Sequence, residues 1–475
     1  MSKATYYRIN GLMLMISWTV FLYLNAHYLL YNDEMATMME IRMPFGDMMR
    51  FLLTEDIHLP AYYVLLKMWM FVFGDSVFSA RCFSYAGLAA CAFGGGYMVR
   101  RLYGDKAGLW FAALFLFLPV SFWFAKTIRM YSWACFFCSA SLLSAQAALM
   151  KNERKDYVLY VVFSFLGAWT HYYASFLCAV IAGVFSVLSW KKDGDVFKKF
   201  FIANAVLFLT VCPQIYLFLR QNVGGTDWIT KEHASEAWRD FFLFYDGRGF
   251  FYNASAFAMV ALWILGLRFL LDGRKSEEKS FAKKGLWTSL LFFAVLLTVS
   301  LTVKPCLVGR YLWISCGGIY VFFLFGFLND RGGRILVGLL LAFSFVSQIS
   351  LSKKVLNESV QPSFYQAVKR HVTPDDVIVA TDWMIAYWFY FRFPDYDVRV
   401  LPSGTERLLG KKQRRIDEAG ILELLKTKNV FVTTGVQGET KVEELFNGFD
   451  AYMGRSFILN KIDRAQFYGA ENVSR

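Results

Sequence analysis

Residues 10–41 read NGLMLMISWTVFLYLNAHYLLYNDEMATMMEI, and the class of the molecule turns on them. Up to Tyr31 the run is almost unbroken apolar sequence, about the length a helix needs to cross the hydrocarbon core of a bilayer. Asp33 and Glu34 follow at once. If the run spans, it delivers two carboxylates to a membrane surface, and their task depends on which face they reach.

The rest of the chain carries the same signature. Of its 475 residues 57% are hydrophobic and only 18% charged, and the mean hydropathy of +0.39 lies outside the soluble range. Apolar runs recur at about 10–31, 78–99, 107–125, 131–149, 156–171, 173–190, 199–219, 253–271, 285–303, 311–328 and 335–351. The expected architecture is a polytopic α-helical membrane protein with about eleven transmembrane helices. Lys3 and Arg8 precede the first run as in a signal peptide, but the run is longer than such a core and lacks a small-residue cleavage site, so it reads as a retained helix.

A net charge of +13 would suit nucleic acid, but its distribution points elsewhere. Lys and Arg gather in alternate short loops: VRRLYGDK (99–106), KNERK (151–155), KKDGDVFKK (191–199), RKSEEKSFAKK (274–284) and DRGGR (330–334). Such loops stay in the cytoplasm. Residues 32–77, 126–131, 170–173, 220–252, 304–310 and everything after about 352 then lie outside, Asp33 and Glu34 among them. The protein is expected in the cytoplasmic (inner) membrane, with membrane lipids and not nucleic acid around it. Residues 61–74, AYYVLLKMWMFVFG, are apolar but short and carry Lys67, and a crossing there would invert the charge pattern. They read as an interfacial or re-entrant helix, with a short tilted span as the alternative.

From about Leu351 the composition changes, which divides the chain into a transmembrane domain (1–351, with a first outer loop at 32–77) and a domain at 352–475. The second contains β-type runs DVIVA (376–380), DVRVL (397–401), NVFVTT (429–434) and SFILNKI (456–462). Helix-like stretches PSFYQAVKRH (362–371) and RRIDEAGILELLKTK (414–428) intervene, the second with Ile416, Ile421, Leu422, Leu424 and Leu425 largely on one face. A small extracytoplasmic α/β domain is expected. The eight cysteines lie in or beside apolar runs, and CFFC (135–138) reads as packing, because redox or zinc chemistry needs partners the bilayer does not supply.

Polar groups punctuate the outer helix ends. TEDIHLPAYYVLL (54–66) holds His58 and Tyr62, KTIRMYSWA (126–134) Arg129 and Tyr131, THYYASF (170–176) His171 and Tyr172, and KPCLVGRYLW (304–313) Lys304, Arg310 and Tyr311. Any one of these reads as an interface anchor. Acidic, basic and aromatic groups accumulating on one side read as a site.

The ordered segments NDEMATMMEI, DIHLPAYYVLLKMWMFVFGDSVFSARCFS, RMYSWACFF, THYYASF and GRYLW resemble the bacterial branch of glycosyltransferase family 39. These are polytopic glycosyltransferases of the C superfamily, related to protein O-mannosyltransferases and the lipid A aminoarabinose transferase. The resemblance covers about residues 10–330 and is most specific at the acidic pair and the following His-x-Pro-x-Tyr-Tyr, where Leu59 stands in place of a proline common in relatives. It implies a hexosyl- or pentosyltransferase that takes a sugar from a polyprenyl-phosphate carrier and passes it to a glycan, lipid or protein acceptor at the outer face. Because phosphate leaves as a stable anion, no paired acid is needed, and one carboxylate can accept the acceptor's proton. The resemblance assigns that base to Asp33; Glu34 reads as a helper or as only orienting the loop. The leaving phosphate needs counter-charge, for which the Arg310 guanidinium suits bidentate contact, Lys304 adds a point charge and Arg129 is a second candidate. His58 and Tyr62 would shape the first loop or touch the sugar phosphate. KTIRMYSWA lacks an acidic residue that several relatives have there, so no cofactor is expected, and a divalent metal is left open.

Two other classes fit less well. A transporter or flippase of lipid-linked sugars would place ionisable groups near the midplane and show repeated or broken helices. A lipid-linked glycan polymerase or ligase would carry its catalytic loop late in the chain. The charge pattern makes a direct prediction: reporter fusions at Lys151, Lys192 and Lys279 should report the cytoplasm, and fusions near Asp47, Thr226 and the C-terminus the opposite side. An external signal at Lys151 would break the scheme.

Overall fold

In hydrocarbon a peptide group finds no partner outside its own segment, so apolar runs must be helical. The computed structural model describes all residues except 28–29, 31, 119–123, 125, 222–228, 230, 244–249, 274, 358–367, 371, 381–382, 402–413, 426, 436–456, 463–464 and 471–475. Each of the eleven apolar runs contains a helix. Among the described residues seven helices are long and apolar enough to cross a membrane: Lys3–Asn25, Val77–Tyr103, Tyr131–Lys151, Tyr172–Lys192, Gly194–Gln221, Glu277–Thr302 and Gly309–Phe327. Helices Asp105–Phe117, Arg154–Thr170, Phe250–Leu271 and Arg331–Asn357 account for the other runs. The chain is a polytopic α-helical membrane protein that also carries a small C-terminal sheet.

It forms two compact units. One comprises Met1–Tyr28 and Leu52–Lys354, the other Leu29–Phe51 and Val355–Arg475.

Within the first unit, Tyr131–Lys151 and Gly309–Phe327 are the central helices, each 83% buried over its apolar window. Lipid tails are as apolar as leucine, so helices associate through close contact of small residues. Tyr131–Lys151 supplies Ser132, Ser139 and a run of alanines for this purpose. A Cβ on Gly87 would stand 2.6 Å from the Ser132 hydroxyl, and one on Gly317 would overlap Ser139 outright. Helices Glu277–Thr302 and Cys316–Phe327 meet backbone to backbone, a Cβ on Gly285 falling 2.5 Å from the Gly318 carbonyl oxygen and one on Gly318 falling 2.6 Å from that of Gly285.

The basic loops gather at one end of this unit. Arg100 donates to Asp105 at 2.6 Å, Arg101 pairs with Asp156 at 3.7 Å, and Lys199 donates to Asp195 at 2.6 Å and Asn152 at 3.2 Å. Helix Pro60–Phe73 has 14 residues, or about 21 Å, too short to cross upright a core of about 30 Å. Its far end turns Met68, Phe71, Val72 and Phe73 outward.

The second unit contains helix Asn32–Arg42 and a six-stranded sheet in the order β3-β2-β1-β4-β6-β5. The strands are β1 Val377–Ala380, β2 Asp397–Val400, β3 Arg414–Arg415, β4 Val430–Gly435, β5 Phe457–Ile462 and β6 Ala465–Ala470. The first four are mutually parallel, β6 is antiparallel to β4, and β5 is antiparallel to β6. Four of these are the runs read from the sequence; β3 and β6 are additional. Arg414–Arg415 pairs with β2, so the stretch read as one helix from 414 starts only at Glu418, where Asp417 accepts from the Gly420 amide at 2.8 Å. Ile416, Ile421 and Leu424 do share a face, packed on Val377, Val379, Val430 and Val432. Most of the helix expected at 362–371 lies outside the described residues. Helix Trp383–Arg392 lies against the sheet through Ala386, which meets Ala380 and Val400, and through the Tyr390 hydroxyl, which donates to the Val398 carbonyl at 3.1 Å.

The backbone contact at Gly285 and Gly318 leaves no room for a methyl group. Gly285→Ala should lower stability by about 1–3 kcal/mol, the usual cost of overpacking, while Gly11→Ala, with open space around it, should not. Thermal unfolding in detergent reads both.

Candidate active site

The loop between helices Phe45–Thr54 and Pro60–Phe73 is short, and its end is set by Pro60, whose fixed φ suits the first helical position. Within it Asp56 Oδ1 accepts the Ile57 amide at 2.7 Å, and the two carboxylate oxygens face His58 Nδ1 at 3.0 and 3.1 Å. The other ring nitrogen, Nε2, stands 3.2 Å from Arg129 Nη2. A guanidinium has no lone pair to offer, so Nε2 accepts and the imidazole proton lies on Nδ1, toward Asp56. Arg129 also donates to the Tyr63 hydroxyl at 3.4 Å. Asp56, His58 and Arg129 retain 12%, 17% and 7% of their exposure, so this row of ionisable groups is largely out of solvent. Burial pushes the Asp56 carboxyl up, but His58, the Ile57 amide and the Arg129 charge outweigh it and hold it below the usual carboxylate value.

His171 sits at the junction of helices Arg154–Thr170 and Tyr172–Lys192. Its extended backbone makes it the N-cap of the second, and Nδ1 accepts the Tyr173 amide at 3.1 Å, which leaves its proton on Nε2. Three tyrosines surround the ring, Tyr173, Tyr311 and Tyr131, with centroids 5.3, 5.4 and 5.8 Å away. Tyr173 and Tyr311 stack at 4.5 Å, and the Tyr173 hydroxyl donates to the Cys306 carbonyl, which ties the loop before Arg310 to this floor. The Arg310 guanidinium lies 5.5 Å from the Tyr311 ring centroid. Burial comes first in lowering the His171 pKa well below its ordinary value, and the nearby His58, Arg129 and Arg310 add to it. Four basic groups from four separate segments thus lie within range of one another over an aromatic floor.

Tyr62 is fully buried with its ring against Tyr63 and Phe83. The Tyr172 hydroxyl donates to Gln221 at 2.5 Å, and the residue stands at the rim of a cleft of about 660 Å³ that is lined by Phe176, Ala179, Leu207, Phe208 and Phe218. Lys304 lies in the turn after helix Glu277–Thr302, its amide bonded to the Val299 carbonyl at 3.2 Å. Asp33 and Glu34 occupy the first turn of helix Asn32–Arg42 in the other unit, Asp33 partly exposed and Glu34 1% exposed.

Sequence reasoning did not assign roles to Asp56, Tyr63, Tyr173 or Asp240. Asp56 had a local signal, an acid two residues before a histidine in a loop too short to separate them. Asp240 had none: from helix Lys231–Leu243 its carboxylate stands against Gly309, where a Cβ would meet it at 2.5 Å, and its carbonyl accepts from Trp313 at 3.2 Å. Among the described residues no three His, Cys, Asp or Glu side chains converge as metal ligands.

No family model and no curated protein sequence matches the chain. Solved membrane-protein structures share its fold. ArnT from Cupriavidus metallidurans, in a crystal structure bound to undecaprenyl phosphate, is similar with a TM-score of 0.63 at 12% identity, over 100% of this chain and 99% of that one. The apo state of the same protein matches with a TM-score of 0.55 at 12% identity over the same 100% and 99%.

The buried imidazole of His171 makes stability depend on pH. Its folded pKa is depressed, so above about pH 6.5 it is neutral in both states, and as pH falls below that value the unfolded chain takes up a proton the folded chain refuses. Stability should therefore fall from about pH 6.5 downward. His171→Asn, which keeps a cap but does not titrate, should flatten the dependence of the thermal midpoint on pH between 7.5 and 5.

Proposed function

We propose that this protein is an integral membrane glycosyltransferase that moves a sugar from a polyprenyl-phosphate carrier to a hydroxyl of a glycan, lipid or protein acceptor, at the outer face of the cytoplasmic membrane. The observation that carries this reading is that two guanidiniums, Arg129 and Arg310, both lie within range of the neutral His171 ring and the tyrosines around it. A lipid-borne phosphate is a partner that suits several charged donors at the rim of a bilayer, and arginine meets it with two parallel bonds. ArnT, the similar fold, was crystallised with undecaprenyl phosphate bound. The alternate basic loops gathered at the opposite end support the outward face.

In the reaction the acceptor oxygen attacks the anomeric carbon as the bond from that carbon to the phosphate oxygen breaks. Arg310 and Arg129 stabilise charge on the departing polyprenyl phosphate, with Lys304 adding a point charge. Phosphate leaves without protonation, so the only proton to move is that of the acceptor hydroxyl, and Asp33 takes it. Asp56 holds His58, and His58 in turn sets the plane of the Arg129 guanidinium. The cleft whose rim is Tyr172 opens between helices Tyr172–Lys192 and Gly194–Gln221, and we assign it the carrier's hydrocarbon chain because Tyr172 also lies within reach of the Asp56 charge.

The test is release of free polyprenyl phosphate from a panel of polyprenyl-phosphate sugars, followed by mass spectrometry. Asp33→Asn should lower turnover by about 10² to 10⁴ with donor affinity little changed, because asparagine keeps shape and a capping oxygen but accepts no proton. Arg310→Ala should weaken the donor by about 2–4 kcal/mol, and Arg310→Lys should restore only part. Near wild-type turnover by Asp33→Asn removes it as the base, and no release from any donor favours transport of the lipid-linked sugar.

A further inference from the structure

The proposed base lies on a helix that groups with the C-terminal strands. Helix Asn32–Arg42 belongs to the unit formed by residues 29–51 and 355–475. Glu34, Met35, Thr37 and Met38 are out of solvent, at 1%, 0%, 0% and 0% exposure, although the sequence has no apolar stripe. Within its unit it packs against helix Trp383–Arg392. The Arg42 guanidinium lies 5.2 Å from the Phe391 ring centroid, and Arg392 approaches the same ring at 5.9 Å. Arg42 stands in the last turn of its helix, where a cation also suits the helix dipole. Helix Trp383–Arg392 is in turn fixed to the sheet by Ala386 and Tyr390.

We infer that the C-terminal α/β domain is the positioning element of the proposed base, acting through Phe391 and Arg42. This rests on the reading of Asp33 given above. The contacts run without interruption from β1 and β2 to helix Trp383–Arg392, from Phe391 to Arg42, and along ten residues of helix to Asp33, whose carbonyl accepts the Thr37 hydroxyl at 3.0 Å. An acidic helix of 11 residues is not stable by itself in water, so its geometry comes from what it packs on. The hold on Asp33 thus runs through helix Trp383–Arg392 to the sheet.

The experiment uses the full-length protein in nanodiscs, with three readouts: hydrogen exchange of the amides of residues 34–42, affinity for polyprenyl phosphate, and kcat. Phe391→Ala should speed exchange in 34–42 and leave exchange in helix Tyr131–Lys151 unchanged. It should lower kcat about tenfold at constant polyprenyl phosphate affinity, and Phe391→Trp, which keeps an aromatic face, should restore both. Arg42 is exposed, so Arg42→Gln cannot fail for want of folding; it should act in the same direction by about fivefold, and Arg42→Lys should recover most of the loss. Unchanged exchange in 34–42, or faster exchange with an unchanged kcat, overturns the inference. The base reading fails separately, when Asp33→Asn turns over normally, whatever Phe391→Ala does.

Discussion

Hydrocarbon offers a peptide group no hydrogen-bond partner, and the rest of this structure follows from that constraint. Helices are the only open form available to the apolar runs, and their association then depends on how closely backbones can approach. Gly285 against Gly318, and Gly317 against Ser139, are where that approach is closest. Polar chemistry is pushed to the helix ends, and a site there must be assembled from segments far apart in the chain. Here those segments are the loop at 55–59, the turn before Tyr131, the break at His171 and the turn at Gly309.

A guanidinium largely out of water needs acceptors, and Arg129 has two in view, the Tyr63 hydroxyl and His58 Nε2. Asp56 decides the second, because a carboxylate facing Nδ1 keeps the proton on that side and the lone pair free on the other. A phosphate oxygen is a stronger acceptor for the same guanidinium than an imidazole nitrogen. The row from Asp56 to Arg129 thus orients a cation, which the function proposed above sets against a lipid-borne phosphate. His171 takes the opposite part: buried, neutral and stacked among tyrosines, it caps a helix and supplies a flat surface in place of charge.

The acidic pair after the first helix is attached in a different manner. A reader of the sequence sees Asp33 two residues past an apolar run and assigns it to that run. In the structure its helix groups with the sheet, through a cation over an aromatic ring and a buried helix face.

The sequence by itself determined what local rules control. Hydropathy placed a helix in each of the eleven apolar runs, and β-branched alternation located β1, β2, β4 and β5. It also marked His58, Arg129, His171, Arg310 and Tyr311 as worth watching, since charge and aromatic rings at helix ends are visible one residue at a time. Partnership was not legible. That Asp56 would orient His58, that Tyr62 would lie buried against Phe83 while Tyr63 bonds Arg129, that Asp240 would lie on Gly309, and that Arg414–Arg415 would join a sheet were decided by which segments meet. The physical reason is that burial and pairing energies belong to contacts between distant residues, and the pattern along one chain carries the ends of such contacts but not their pairing.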